Sequence, residues 1–330
     1  MTSDLDKCTR CALCVQNCPI YNITHDENNT CRGLICKLSG FEQGIISEAK
    51  LKKDLKVCLN CSKCENNCPS KVKTSSIFAY KNAVFYPSKI SQRLLLAAKL
   101  LPFKILYFLN IFKRNKKSKE SNIMYFKGCV AHAQHKTTFL DEYESNNLCC
   151  GLPYLTSGDI KNYEKVKKHN IKLIRQKEKI IFDCSSCKSA VEKYGELTEE
   201  DRKKLVFFSD IVDKNYKNKT RYKKATFHKP CHMSKDDFEH VENLLNNIEN
   251  LNYIRLENPD LCCGFGGSYF IFHPLTALKI AFKSASQINN ADVDLILTAC
   301  PSCTFGLRTM QILTGKNKKV LELRDFLEKL

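Results

Sequence analysis

The sequence predicts an α+β fold: a mostly helical N-terminal domain rich in cysteine, followed by two tandem α/β units. Three observations point there. A cysteine word occurs twice near the N-terminus, and the interval between its copies has helical rather than alternating apolar spacing. Residues 122–330 repeat themselves, each half reading strand, helix, strand. The cysteines of each half fall at the ends of its strands, where ligands of open α/β sheets gather. The chain therefore divides into a helical domain at 1–80, a connector at 81–121, and α/β units at 122–221 and 222–330.

The first copy of the word is Cys8-x2-Cys11-x2-Cys14-x3-Cys18-Pro19 and the second is Cys58-x2-Cys61-x2-Cys64-x3-Cys68-Pro69. This is the bacterial-type [4Fe–4S] ligand run, whose fourth cysteine serves the neighbouring cluster. It pairs Cys8, Cys11 and Cys14 with Cys68 on one cubane, and Cys58, Cys61 and Cys64 with Cys18 on the other. Three thiolates on one tight turn hold three irons of a cube, and only a distant residue reaches the fourth. Structural zinc, the rival, takes two cysteine pairs from separate hairpins and fits overlapping Cys-x2-Cys steps poorly. The interval from Cys18 to Cys58 exceeds the linker of a small two-hairpin ferredoxin and shows helical patterns at Arg32 to Gln43 and Ile45 to Leu55. A mostly helical ferredoxin is expected, with Cys31 and Cys36 as packed thiols outside the ligand set.

No apolar stretch precedes Cys8, so no signal peptide is expected, and thiols in a reducing cytoplasm serve metals before disulfides. The formal charge is +18. Each [4Fe–4S] core with four thiolates carries about −2, which offsets part of it. The lysines read as a soluble coat or as a face for an acidic partner or anionic membrane. No nucleic-acid-binding motif accompanies them. In the connector, Leu94 to Phe112 is apolar and is followed by Lys113, Arg114, Lys116, Lys117 and Lys119. Lys99, Pro102 and Lys104 interrupt it, against a spanning helix. An interfacial helix pair giving peripheral membrane contact, or a buried docking helix, are the open readings.

Each α/β unit opens with a strand that ends at a lone cysteine: Met124 to Cys129, and Ala225 to Cys231. Each then carries Cys-Cys-Gly, at Cys149-Cys150-Gly151 and Cys262-Cys263-Gly264, and a Cys-x2-Cys after a β-rich run, at Cys184/Cys187 and Cys300/Cys303. Adjacent cysteines cannot both point the same way, so Cys-Cys on a turn grips two metals or two sides of one cluster. Five thiols per unit exceed the needs of one cubane or one zinc. They suit an expanded, irregular cluster or a cubane with a reactive thiol; structural zinc and buried free thiols remain alternatives. Gly264, Gly266 and Gly267 permit close backbone approach to a cofactor, but Gly264-Phe265-Gly266-Gly267 lacks the spacing of a dinucleotide site. His132, His135, His228 and His232 flank the lone cysteines, as hydrogen-bond or proton-relay groups beside sulfur or as surface and capping residues. No Ser/His/Asp constellation, paired-carboxylate site or catalytic residue stands out.

At these motifs the chain resembles the CCG-domain (cysteine-rich) iron–sulfur family, over residues 6–310. That family includes iron–sulfur subunits of glycolate oxidase, lactate-utilisation, anaerobic glycerol-3-phosphate dehydrogenase and heterodisulfide reductase systems. The arrangement is most similar to the glycolate oxidase type, which joins a ferredoxin and two CCG repeats in this order. Cys262 to Tyr269 agrees with that type; Cys31-Arg32-Gly33-Leu34 lacks its usual proline; and 19 residues separate Cys129 from Cys149 against 30 between Cys231 and Cys262. The resemblance implies two [4Fe–4S] clusters and one or two additional non-cubane clusters. One would be held by Cys231, Cys262, Cys263, Cys300 and Cys303, and the other by Cys129, Cys149, Cys150, Cys184 and Cys187. It implies an electron-transfer subunit, cytoplasmic or peripheral on the inner face of the membrane. FAD would reside only in a partner 2-hydroxy-acid dehydrogenase (glycolate or D-lactate), and quinone or another acceptor would take the electrons. The alternatives are a disulfide or heterodisulfide reductase with the CCG clusters as its catalytic site, and a non-redox sensor of iron or oxygen.

Overall fold

The structure is a computed structural model that describes residues 5–85, 121–133, 139–143, 145, 149–212, 216–266 and 269–330. Most of the connector, including Leu94 to Phe112, lies outside the described residues. Among the described residues no helix is long and apolar enough to cross a membrane.

The two cysteine words fold alike. Arg10 (φ 57°) and Ala12 (φ 66°) occupy the left-handed region in the first, Asn60 (φ 52°) and Ser62 (φ 61°) in the second. Each left-handed pair curls the chain around its cysteines, and a one-turn helix follows, Leu13–Gln16 or Lys63–Asn66. The interval between the words is helical, with Tyr21–Thr24, Cys31–Glu42 and Glu48–Leu55, and Thr74–Phe85 follows the second word. Thr30 and Ser47 cap the two longer interval helices through their side-chain oxygens. The expected start at Ile45 gives way to Glu48, because Gly44 (φ 75°) turns the chain out of the first helix and Ser47 nucleates the next. Gly33 is required: a Cβ there would lie 2.4 Å from the Glu27 carbonyl oxygen. Leu34, Ile35, Leu38, Leu51, Leu55, Val72, Ile77 and Phe78 form the core. Cys31 is buried in it as expected, but Cys36 is exposed. The packed-thiol reading fails for Cys36, since helical periodicity buries positions 31, 34, 35 and 38 and turns 36 outward.

The α/β units hold two parallel sheets. β1 (Ile123–Phe126), β2 (Lys179–Phe182) and β3 (Leu205–Phe207) form the first, in that spatial order. The second has the order β5-β4-β6-β7, from β4 (Lys224–His228), β5 (Asn252–Tyr253), β6 (Leu295–Thr298) and β7 (Lys319–Glu322). β4, β6 and β7 correspond to β1, β2 and β3. Helix Lys235–Asn246 and edge strand β5 account for the longer interval between Cys231 and Cys262. β1, β2, β3 and β6 are nearly continuous apolar runs, as in parallel sheets covered on both faces. Met124, Tyr125, Phe126, Ile180, Ile181 and Phe182 are all inaccessible to solvent. One apolar core runs through both sheets.

Two buried ion-pair groups join the units. Lys188, on helix Ser185–Glu192, bonds Asp237 on Lys235–Asn246 at 2.8 and 2.9 Å. Arg324, on the C-terminal helix Leu323–Leu327, reaches back to Asp183 and to the Tyr125 hydroxyl of the first sheet. The helical domain packs on both units. Lys193 bonds Glu65 at 2.9 Å, Lys63 bonds Asp260 at 3.0 Å, and the His232 Nε2 lies 2.8 Å from the Asn60 carbonyl oxygen.

Candidate metal centres

In the helical domain the words enclose two hollows. Cys8, Cys11, Cys14 and Cys68 line one, backed by Ile35 and Val72. Cys18, Cys58, Cys61 and Cys64 line the other, backed by Ile20, Leu34 and Leu59. Each hollow thus gathers three cysteines of one word and the last of the other. Cys31 and Cys64 border both, and Cys31 hydrogen-bonds the thiols of Cys14 and Cys64. Backbone N–H groups point at sulfur, from Asn60 to Cys58 and from Val72 to Cys68 at 3.4 Å each, and Thr74 Oγ1 lies 3.0 Å from the Cys64 Sγ. Sulfur-only donors, inward amides and apolar backing fit an iron–sulfur cluster in each hollow, since soft thiolates select such clusters. Cys11 is exposed, which places one edge of the first hollow at the surface.

The α/β cysteines converge at the C-terminal ends of the sheets. Phe126 pairs with Phe182 and His228 with Thr298 in register, so the lone cysteines, 129 and 231, and the first cysteines of the Cys-x2-Cys pairs, 184 and 300, emerge side by side. Cys184 and Cys300 are the N-caps of helices Ser185–Glu192 and Pro301–Leu313, which places Cys187 and Cys303 in first turns. Free amides and the helix dipole there favour thiolate. Each Cys-Cys-Gly turn ends in a left-handed glycine, Gly151 (φ 76°) and Gly264 (φ 78°), whose N–H donates to the first sulfur of the pair at 3.4 Å. The space at Gly264 is filled by the Ala277 carbonyl oxygen, 2.3 Å from where a Cβ would stand, so this glycine admits protein backbone rather than a cofactor. Gly267 lies outside the described residues.

The ten sulfurs form a continuous series of side-chain contacts. In the first unit Cys129 meets Cys149, Cys149 meets Cys150, Cys150 meets Cys187 and Cys187 meets Cys184. In the second, Cys231 meets Cys262, Cys262 meets Cys263, Cys263 meets Cys303 and Cys303 meets Cys300. Cys184 meets Cys300 across the units, and Cys231 meets Cys61 of the helical domain. The adjacent cysteines splay: Cys149 and Cys262 turn to the lone cysteine, Cys150 and Cys263 to the Cys-x2-Cys pair. Hydrogen bonds from neighbouring thiols hold Cys149 (about 3), Cys263 and Cys300 below the ordinary thiol range, while Cys129 and Cys303 are pushed up by giving such bonds and by burial, as is Cys187 through its bonds to Cys150 and Cys184. Such a set takes up a metal by shedding its shared protons.

Of the flanking histidines, His135 lies outside the described residues and His132 is in helix Gly128–Ala133. His228 is buried, and His232 is half-buried with its ring fixed by hydrogen bonds. His228 is 1% exposed, and burial lowers its pKa to about 4. Both ring nitrogens of His232 are engaged, Nδ1 with Ser186 Oγ at 3.1 Å and Nε2 with Asn60. Ser186, which no sequence motif singles out, also lies 3.2 Å from the Cys300 Sγ. A cavity of about 400 Å³ opens beside it, between the helical domain and the first unit, lined by Ser62, Ser75, Lys167, Ser186, Lys193 and His232 among others.

Comparison with known proteins agrees with this arrangement. A 4Fe-4S dicluster domain matches residues 4–72, and a cysteine-rich domain (CCG) matches residues 134–192 and 225–308. A subunit of the fumarate reductase (CoM/CoB) of Methanothermobacter marburgensis is 29% identical over 54% of this chain and 38% of its own length. An uncharacterized iron-sulfur protein of Methanococcus maripaludis is 28% identical over 49% of this chain and 34% of its own length. Lactate utilization protein A of Shouchella clausii is 25% identical over 56% of this chain and 84% of its own length. The chain thus spans little more than a third of the two archaeal relatives. The matched regions thus place a 4Fe-4S dicluster domain ahead of two matches to the cysteine-rich (CCG) domain, the order that the cysteine motifs follow along the chain.

Proposed function

We propose that this protein is the iron–sulfur electron-transfer subunit of a flavin-dependent 2-hydroxy-acid dehydrogenase, of the glycolate or D-lactate type. The series of sulfur contacts from Cys61 through Cys231, Cys262, Cys263, Cys303, Cys300, Cys184, Cys187, Cys150 and Cys149 to Cys129 is the observation that carries it. Cys8, Cys11, Cys14 and Cys68 would hold one cubane, and Cys18, Cys58, Cys61 and Cys64 the other. The ten α/β cysteines would hold one or two further clusters. Bound clusters supply one-electron steps that a two-electron flavin in a partner subunit can feed. This chain's residues fix the spacing: Leu59, Ile20, Tyr269 and Ile280 form an apolar seal around the Cys61–Cys231 contact. Delivery to quinone at the inner face of the cytoplasmic membrane completes the reading. The test is copurification with a flavoprotein and reduction of a quinone analogue by hydroxy acid. Loss of acceptor reduction in Cys61→Ala, with flavin reduction kept, is expected. Unchanged acceptor reduction from iron-free, folded protein overturns the reading.

A second reading has its own support: a disulfide reductase acting at the α/β cysteines. The cavity beside Ser186 lies next to Cys300 and is large enough for a small thiol compound. Oxidation of the dithionite-reduced protein by a disulfide, and not by quinone, would select it.

A further inference from the structure

His228 ends β4 three residues before Cys231, and its ring is turned into the second unit's cysteines. A ring nitrogen of His228 and the sulfurs of Cys263 and Cys303 all lie within 4.8 Å of one another, and all three residues are buried. The Nε2 of that ring has no hydrogen-bond partner. An orphaned ring nitrogen in the interior carries a desolvation cost that a metal bond removes. Donors at about 2.0–2.3 Å from one tetrahedral ion stand about 3.3–3.8 Å apart, so small side-chain movements bring these three onto a single ion. Among the described residues the first unit has no histidine at the matching place. Phe126 occupies the equivalent place, three residues before Cys129, and its ring stacks on Phe182 at 4.8 Å. His232 is no competitor, because Ser186 and Asn60 hold both of its nitrogens.

We infer that His228 is a ligand through Nε2 to an iron of the second unit's centre, making that centre mixed thiolate–imidazole. This rests on the reading that the second unit binds an iron–sulfur cluster. The two centres would then differ in ligand set, and ligand identity is one of the levers that set a cluster's potential.

The test uses the full chain, purified anaerobically after growth on ¹⁵N-histidine or unlabelled histidine. Iron, sulfide and zinc are counted, and pulsed EPR is recorded on the poised protein. We expect clearly more iron than the roughly eight atoms of two cubanes. We also expect a strong nitrogen coupling of directly bound imidazole that changes with the isotope. His228→Phe, which copies the first unit, should abolish that coupling and leave the two ferredoxin-type signals unchanged. Extra iron without a strong histidine coupling, or a coupling that survives in His228→Phe, overturns the ligand assignment alone. Iron at about eight atoms, or zinc in its place, overturns the cluster reading and the ligand with it. If His228→Phe does not fold, the isotope pair on the native chain still decides.

Discussion

Gly264 and Gly44 share a left-handed backbone, at φ 78° and 75°, but not a neighbourhood. A Cβ on Gly44 meets nothing within 4 Å, whereas one on Gly264 meets the backbone of helix Pro274–Asn290. Gly44→Ala should therefore cost only the left-handed penalty, about 1–2 kcal/mol. Gly264→Ala should add an overpacking cost of about 1–3 kcal/mol and displace Cys262 and Cys263. Anaerobic denaturation with iron counting checks this: Gly44→Ala keeps its iron, and Gly264→Ala retaining all of it would contradict the account. The two cysteines outside the motifs divide in the same way. Cys36 is exposed and borders neither hollow, so Cys36→Ser should leave iron content unchanged, and a thiol reagent should modify Cys36 in the loaded protein. Mass spectrometry of the modified peptides measures that.

The elements that carry the sulfur ligands are held by buried charge as well as by apolar packing. Lys188 and Asp237 are 8% and 6% exposed and lock helix Ser185–Glu192 to helix Lys235–Asn246. Lys188→Ala leaves a buried carboxylate without its cation, which typically costs about 3–5 kcal/mol. The double change Lys188→Met with Asp237→Leu should recover most of that loss, and thermal denaturation compares the two. Burial opposes the Lys188 charge, but Glu192 and Asp237 outweigh it and raise the ammonium above the usual lysine value. The pair's stabilisation is therefore fully present below the unfolded-state value of about 10.4 and fades as pH rises through the folded value. The gap between native chain and Lys188→Ala should be constant near neutrality and close only in strong alkali. A gap that closed on acidification through pH 6 would mean that a different group carries it.

For the whole molecule, the helical domain's core is small and its two hollows are walled by thiols that metal draws together. Stripping iron with a chelator should melt much of the helix between residues 5 and 85. The α/β sheets, whose shared apolar core is larger, should survive. Circular dichroism before and after chelation tests this; an unchanged helical signal would show that the fold stands without its clusters.

How far this architecture could be read in advance follows from the reach of each signal. Two words of the same spacing imply two equivalent turns, and in the structure Cys68 lines the hollow of the first word and Cys18 that of the second. The interval helices were legible from apolar spacing, with an error at Ile45 that cap chemistry explains. β3, β5 and β7 were not foreseen, since no cysteine marks them and their apolar runs are short. Arg324 was invisible for another reason. Its partners in the first unit, Asp183 and Tyr125, lie more than a hundred residues away, and no local pattern couples them.

Sequence alone determined the sulfur chemistry, because ligand spacing along a turn is a short-range property that a few dihedral angles satisfy. It also determined the repeat, because two copies of one pattern fold to the same local minimum. Only the tertiary structure decided that Cys184 meets Cys300, that Cys231 meets Cys61, and that His228 turns an unpartnered nitrogen inward. Those meetings depend on how two sheets and a helical domain share one interior, and that is settled by packing among residues far apart along the chain.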